Sequence, residues 1–192
     1  MKGNNLAGHP GERGRVENDY YATPSEATID ILNREDLGNS ILEPACGQGH
    51  ISKTILSCPA YNNIKIISTD LIDRGYGQGG IDFLTYNYNE TFDTIITNPP
   101  FKYAKEFAEK ALAIVNKKVI MFIKIQFLEG QSRKLFLQNS PLKTIYVFSR
   151  RINPLRNGNE LDENGKKWCS TMCFAWFVWE NGYKGNPEVK WI

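Results

Sequence analysis

The stretch SILEPACGQGHISKTILSC, Ser40–Cys58, decides the fold. SILEPA reads as a short strand, CGQGH as a tight turn, and HISKTILSC as a short helix. Gly47 and Gly49 let the backbone turn sharply and come close to a ligand, which a side chain would prevent. Downstream the alternation continues. IKIISTD (64–70) reads as a second strand ending on an acid, IDFLT (81–85) as a brief third, and FDTIITN (92–98) as a fourth. YAKEFAEKALAIVN (103–116) is helical, and KKVIMFIK (117–124) is the continuous apolar run of a strand covered on both faces. SRKLFLQN (132–139) is a helix, TIYVFS (144–149) a strand, and MCFAWFVWE (172–180) a last strand rich in aromatics. Upstream, Thr23-Pro24 starts a helix with Ala27, Ile31 and Leu32 on one side. Strands alternating with helices imply an α/β chain with a doubly wound, mostly parallel sheet. The last two strands are joined by the polar RRINPLRNGNELDENGKKW (150–168) with no helix, so an antiparallel hairpin with one reversed strand is expected.

The 192 residues suit a polar N-terminal arm over residues 1–18, expected to be flexible, and one domain over 19–192 with a target-binding loop around 150–168. No apolar run is long enough to span a bilayer and no secretion signal is visible, so the expected location is the cytoplasm. Cys46, Cys58, Cys169 and Cys173 show no CxxC spacing and no histidine cluster, which reads as buried reduced thiols with no metal site. Charge is lopsided. Residues 1–100 carry 7 basic and 13 acidic side chains, whereas residues 101–192 carry 16 basic and 8 acidic. The basic half is expected to face a polyanion.

In doubly wound sheets ligands bind at the carboxyl ends of the strands. Asp70 stands 21 positions after Gly49, near the spacing at which an acid reaches a ribose hydroxyl pair. Ser52 stands where a dinucleotide fold would have its third small residue. Glu43, just before the turn, would repel a pyrophosphate but suit a sulfonium or ammonium charge, which argues against a nicotinamide dinucleotide. FDTIITNPPF, Phe92–Phe101, ends on an amide, two prolines and a ring. Neither proline can donate to a sheet ladder, so the strand stops there.

In order, DYYATP (19–24), EPACGQGH (43–50), STDL (68–71), DFL (82–84) and NPPF (98–101) resemble the motifs of the S-adenosylmethionine-dependent amino-methyltransferases of the adenine-N6 type. The arrangement is gamma-like and similar to that of phage and prophage enzymes, and looser likeness extends into YVFSRRINP and CFAWFVWE. The resemblance implies a Rossmann-like class I methyltransferase fold and S-adenosyl-L-methionine as cofactor. It implies that Glu43, Pro44, Ala45, Cys46, Gly47 and Gly49 line the methionine end, that Asp70 holds the ribose, and that Leu71 lies against the adenine. Asp82 would bond the cofactor's adenine amine and Phe83 pack on its ring. Tyr21, Thr23 and Pro24 would close over the methionine.

By the same resemblance Asn98, Pro99, Pro100 and Phe101 form the catalytic tip, with Asn98 also facing the cofactor. The Asn98 side-chain oxygen and the Pro99 carbonyl would accept from the target amine, and Phe101 would stack on a base flipped out of DNA. Lys102, Arg151 and Asn153 would contact the substrate, and KIQFLEGQSRK (124–134) is a second lip. The implied reaction is methylation of the exocyclic N6 amine of adenine in DNA. The alternatives are an RNA adenine or a protein glutamine amide as acceptor, or an inactive nucleic-acid-binding module. The chain has little room for a separate recognition domain, so specificity for a short or relaxed site is expected. A monomer or weak dimer, with no membrane partner, is also expected.

Overall fold

The computed structural model describes residues 20–167 and 171–192. The arm expected over 1–18, Asp19 of the first motif, and Cys169 lie outside the described residues. The elements in chain order are β1 (Tyr21–Ala22), α1 (Ser25–Leu32), β2 (Ser40–Glu43), α2 (His50–Ser57), β3 (Lys65–Ser68), β4 (Phe92–Thr97), α3 (Ala104–Ile114), β5 (Val115–Lys124), α4 (Gln131–Asn139), β6 (Leu142–Val147), β7 (Leu155–Arg156), β8 (Phe174–Glu180) and β9 (Glu188–Trp191). Seven strands form the main sheet in the order β3-β2-β4-β5-β8-β6-β9. Strands β3, β2, β4 and β5 are mutually parallel, and β8 runs antiparallel to both β5 and β6. The expected doubly wound sheet with one reversed strand is therefore what forms. β1 and β7 make a separate antiparallel ribbon.

The period-two alternation of strands builds both faces of the core. On β5, Val119, Met121 and Ile123 join the cluster under α3, with Phe107, Ala108 and Ala111. Ile120 and Phe122, between them in sequence, join the opposite cluster under α1 and α2, with Ala27, Ile31, Ile51 and Ile55. Strand β8 divides the same way: Phe177 and Trp179 go to the first cluster, Trp176 and Val178 to the second. A strand with both faces buried has no polar side, which is why these runs are continuously apolar.

Two expectations are corrected. IDFLT is a turn, not a strand: the Asp82 carbonyl accepts from the N–H groups of Thr85 and Tyr86, and its carboxylate accepts from Leu84 N–H. An aspartate that satisfies the following backbone itself favours a turn over a ladder. The aromatic strand is also not the last. EVKW adds β9 at the edge, parallel to β6. No helix among the described residues is long and apolar enough to cross a membrane.

Candidate functional site

The carboxyl ends of β3, β2 and β4 lie side by side at one edge of the sheet. They carry Asp70, the glycine turn and Asn98. Gly47 (φ 56°) and Gly49 (φ 79°) are both left-handed, which other residues adopt only at a cost. The turn closes through Gly49 N–H to the Cys46 carbonyl (2.7 Å) and Cys46 N–H to the Thr69 carbonyl (3.0 Å). Asp70 pins it from the next strand, accepting from Gly47 N–H (2.8 Å) and Ile72 N–H (2.9 Å). Here the acid fixes the glycine turn, and Leu71 beside it is 57% exposed.

A Cβ on Gly47 would clash with the ring of Tyr20, and one on Gly49 with the ring of Tyr76. Two flat rings thus fill the glycine cradle. The Tyr20 hydroxyl accepts from Gln48 N–H (3.1 Å) and bonds His50 Nδ1 (3.0 Å), and the Arg74 guanidinium sits 4.8 Å from its ring centroid. Lys53 Nζ lies 4.9 Å from the Tyr76 centroid. Sequence reasoning missed Tyr76 as a group that covers the site. The available signal for Tyr76 was its place in the glycine-flanked run RGYGQGG. Tyr21 pairs with Arg156 in the ribbon, Thr23 is buried, and the Pro24 carbonyl caps α1 by accepting from Ala27 and Thr28 N–H.

Glu43 is 2% exposed and lies beneath the turn. It accepts from both the backbone N–H and the hydroxyl of Ser52, and that hydroxyl also bonds Ser68 Oγ (2.8 Å). Burial pushes its carboxyl up to about 8, against the two bonds from Ser52 that favour the charged form. The residue expected to face a ligand is instead buried beneath the turn, where it seats the start of α2 through Ser52. The native state holds the Glu43 carboxyl proton between about 4.5 and about 8, where the unfolded chain has lost it. Stability therefore falls as pH rises through that window and levels off above it. Glu43→Gln is expected to remove this slope, checked by urea unfolding of both proteins at pH 5 and pH 8. Burial likewise pushes the Cys46 thiol up to about 12, so it is no nucleophile, and it donates to the Tyr76 carbonyl (3.5 Å).

Pro44 is buried and Ala45 half-buried beside the cradle. Asp82 is exposed and occupied with its own turn. Phe83 is corrected: it is 2% exposed, packed on Phe107 (4.9 Å between centroids) and Tyr88 (6.1 Å), so its ring belongs to the core. The hydroxyls of Thr23 and Thr97, both buried near this edge, have no hydrogen-bond partner among the described residues.

At the end of β4 the Asn98 Nδ2 donates to the Tyr21 carbonyl (2.8 Å). Pro99 is buried, and the carbonyl of the exposed Pro100 accepts from Tyr103 N–H (2.9 Å), opening a short 3-10 turn over Phe101–Tyr103. The half-buried Phe101 ring rests at 46° on Phe174 (5.7 Å), with Lys124 Nζ 4.3 Å from its centroid. A cation therefore covers the ring, a contact the sequence reading did not foresee. Beside it is a small cavity of about 180 Å³ lined by Phe101, Lys102, Lys105, Phe127 and Arg133 among others. In the second lip, Arg133 is spent on the carbonyls of Phe127, Gln126 and Glu129.

Of the loop residues, exposed Arg151 reaches Cys173 Sγ (3.9 Å), a thiol that is exposed where burial was expected, and Asn153 is half-buried. Arg150 is paired with Asp30 (2.5 Å). Through β7 the loop adds a strand to β1, and at Gly158 it packs on Gln48 and His50 of the glycine turn. Among the described residues no group of three or more His, Cys, Asp or Glu could hold a metal.

No protein-family model matches the chain, and no curated protein matches it by sequence. Solved structures share its fold. A Listeria monocytogenes protein described as a putative class I S-adenosylmethionine-dependent methyltransferase aligns with a TM-score of 0.60 at 14% identity, over 94% of this chain and 67% of its own. The type I restriction-modification methyltransferase subunit from Streptococcus thermophilus aligns at 0.66 and 12% identity, over 92% of this chain. A modification subunit of a putative type I restriction enzyme from Vibrio vulnificus aligns at 0.58 and 13%, over 93%. This chain spans 48% of the length of each of the last two. The sheet is thus the Rossmann-like class I methyltransferase fold.

Proposed function

We propose that the chain is an S-adenosylmethionine-dependent methyltransferase acting on the exocyclic N6 amine of adenine in DNA. The observation that carries this reading is the adjacency of the glycine turn on β2 and the Asn98-Pro99-Pro100-Phe101 tip on β4, neighbouring parallel strands. The residues fit the cofactor: a cradle free of side chains at Gly47 and Gly49 already accommodates flat rings, and Asp70 and the exposed Leu71 stand beside it. Tyr20 and Tyr76 vacate the cradle when it is loaded. The bound cofactor supplies an electrophilic methyl group on a sulfonium.

The chain's own residues handle the amine. Its lone pair is delocalised into the base, so it is a poor nucleophile. Two acceptors, Asn98 Oδ1 and the Pro99 carbonyl, draw on its two N–H bonds and stabilise the charge that grows on nitrogen. Proline after each of these residues restricts its backbone to extended directions. Dipoles fixed in advance need no rearrangement during reaction. Phe101 offers the base a stacking face once the Lys124 ammonium moves aside. Asn98→Asp and Asn98→Ala variants, treated below, probe this tip.

Incubation with labelled cofactor and DNA, RNA or protein in parallel tests the substrate. Label entering adenine of DNA is the expected outcome, and label confined to RNA or to protein glutamine overturns it. Binding to DNA is expected to weaken steeply with salt, since each phosphate neutralised contributes a slope of about −0.9 in log K against log salt. Lys102, exposed on the rim beside Phe101, is expected to carry one such contact. Lys102→Met should flatten the slope by about 1 in a titration from low to physiological salt.

A further inference from the structure

We propose that the backbone carbonyl of Tyr21, held by the β1–β7 ribbon, is the positioning group that orients the Asn98 carboxamide. This rests on the reading of Asn98 as an acceptor for the target amine. A carbonyl oxygen has no hydrogen to give, so the Asn98 atom 2.8 Å from it is the NH₂ group. In the planar amide the oxygen then lies on the other branch. An asparagine turns about its last torsion with a broad, roughly two-fold preference. Without the Tyr21 carbonyl, either branch could face the target, and the NH₂ branch would oppose the amine's own hydrogens. The prolines fix the backbone of Asn98, and Tyr21 fixes its side chain.

The ribbon accounts for why that carbonyl points at β4. Asn157 N–H donates to the Tyr20 carbonyl (2.8 Å), and Tyr21 stands opposite Arg156. Antiparallel pairs alternate between bonded and non-bonded positions, so the backbone groups of Tyr21 turn away from β7. β7 lies within the loop expected to cover the target, and the next residues of that loop, at Gly158, touch Gln48 and His50 of the glycine turn. Seating of the loop thus reaches Asn98 through a single ladder.

The test is Asn98→Asp. A carboxylate cannot donate to the Tyr21 carbonyl, whereas a protonated carboxyl can, so hydrogen bonding to the neutral form raises its pKa above the ordinary value of about 3.9. The charged groups carried nearby act in both directions: Lys102 and Lys124 beside Phe101 and Arg156 across from Tyr21 lower it, and Asp70 on the neighbouring turn raises it. The comparison is therefore made between N98D and N98D with Asn157→Pro, by carboxyl NMR titration without cofactor or DNA. Asn157 has φ 52° and donates to the ribbon, and proline can do neither.

The pKa of the introduced carboxyl is expected to fall by about one unit or more when the ribbon is opened. An identical titration in both variants overturns the proposal. If Asn157→Pro does not fold, the wild-type Asn98 carboxamide decides by NMR: one Nδ2 proton protected from solvent exchange is expected, and free exchange of both overturns the proposal. A wild type that methylates no DNA defeats the functional reading instead, and the titration still decides the geometry.

Discussion

On the proposed function, Asn98→Ala is expected to lower methyl transfer to DNA by about 10²–10³-fold, the scale seen when one fixed transition-state dipole is removed. Its affinity for the cofactor stays within about twofold of the wild type, because the cradle is built from other strands. The argument is electrostatic. In the resting substrate the amine is nearly planar and neutral, so the carboxamide gains little from it. As nitrogen attacks, positive charge develops on its N–H groups, and the bond to Asn98 Oδ1 strengthens only then. An interaction made chiefly in the transition state lowers kcat and kcat/KM together when it is lost. The side chain is only half-buried, and its one described bond is to the Tyr21 carbonyl, so the variant should unfold at nearly the wild-type urea concentration. Single-turnover kinetics with saturating cofactor measures the effect. Wild-type turnover in this variant would mean that the carboxamide never touches the reacting amine.

How much of this was written in the chain follows from locality. The glycine turn was legible because a left-handed backbone at Gly47 and Gly49 is a local demand that glycine meets without strain. The reversed β8 was legible because a long polar loop, with no helix, separates it from β6. Asp82 misled because its side chain competes with the ladder that the apolar residues after it suggest. β9 escaped because all four of its residues are exposed, so it carries no buried alternation. The contact of Tyr20 with the glycine turn was illegible for a different reason. Tyr20 meets Gln48 across 28 positions, and only the path of β1 along β7 brings it there. Lys124 over Phe101 is likewise a meeting of two strand ends, which no spacing records. Glu43 was read as facing the ligand because its position before the turn was visible, while its burial under α2 was not.

Trp176→Ala costs about 3–5 kcal/mol of stability, the range for removing a large buried aromatic. The side chain is fully buried in β8, opposite Phe122 on β5 and Tyr146 on β6. Its ring lies 5.1 Å from that of Phe122, and its Nε1–H donates to the Ala27 carbonyl of α1 (2.8 Å). Alanine would leave a cavity between two layers that cannot close without moving the sheet, since β5 and β6 are each hydrogen-bonded to β8. Against a typical total of about 5–15 kcal/mol, such a loss removes a large part of the margin. Trp176→Phe separates the terms: it keeps most of the buried area and gives up the bond to Ala27, a difference of about 1 kcal/mol. The same bond ties α1 to the central sheet, and α1 begins three positions after Ala22, the end of the ribbon strand that holds Asn98. The phenylalanine variant should therefore fold yet lose more turnover than its stability alone accounts for, as the Tyr21 carbonyl becomes less firmly placed. Urea unfolding and turnover measured on both variants test this. A phenylalanine variant with undiminished turnover would detach the indole from the site, and an alanine variant costing under about 1 kcal/mol would mean the layers are not packed around it.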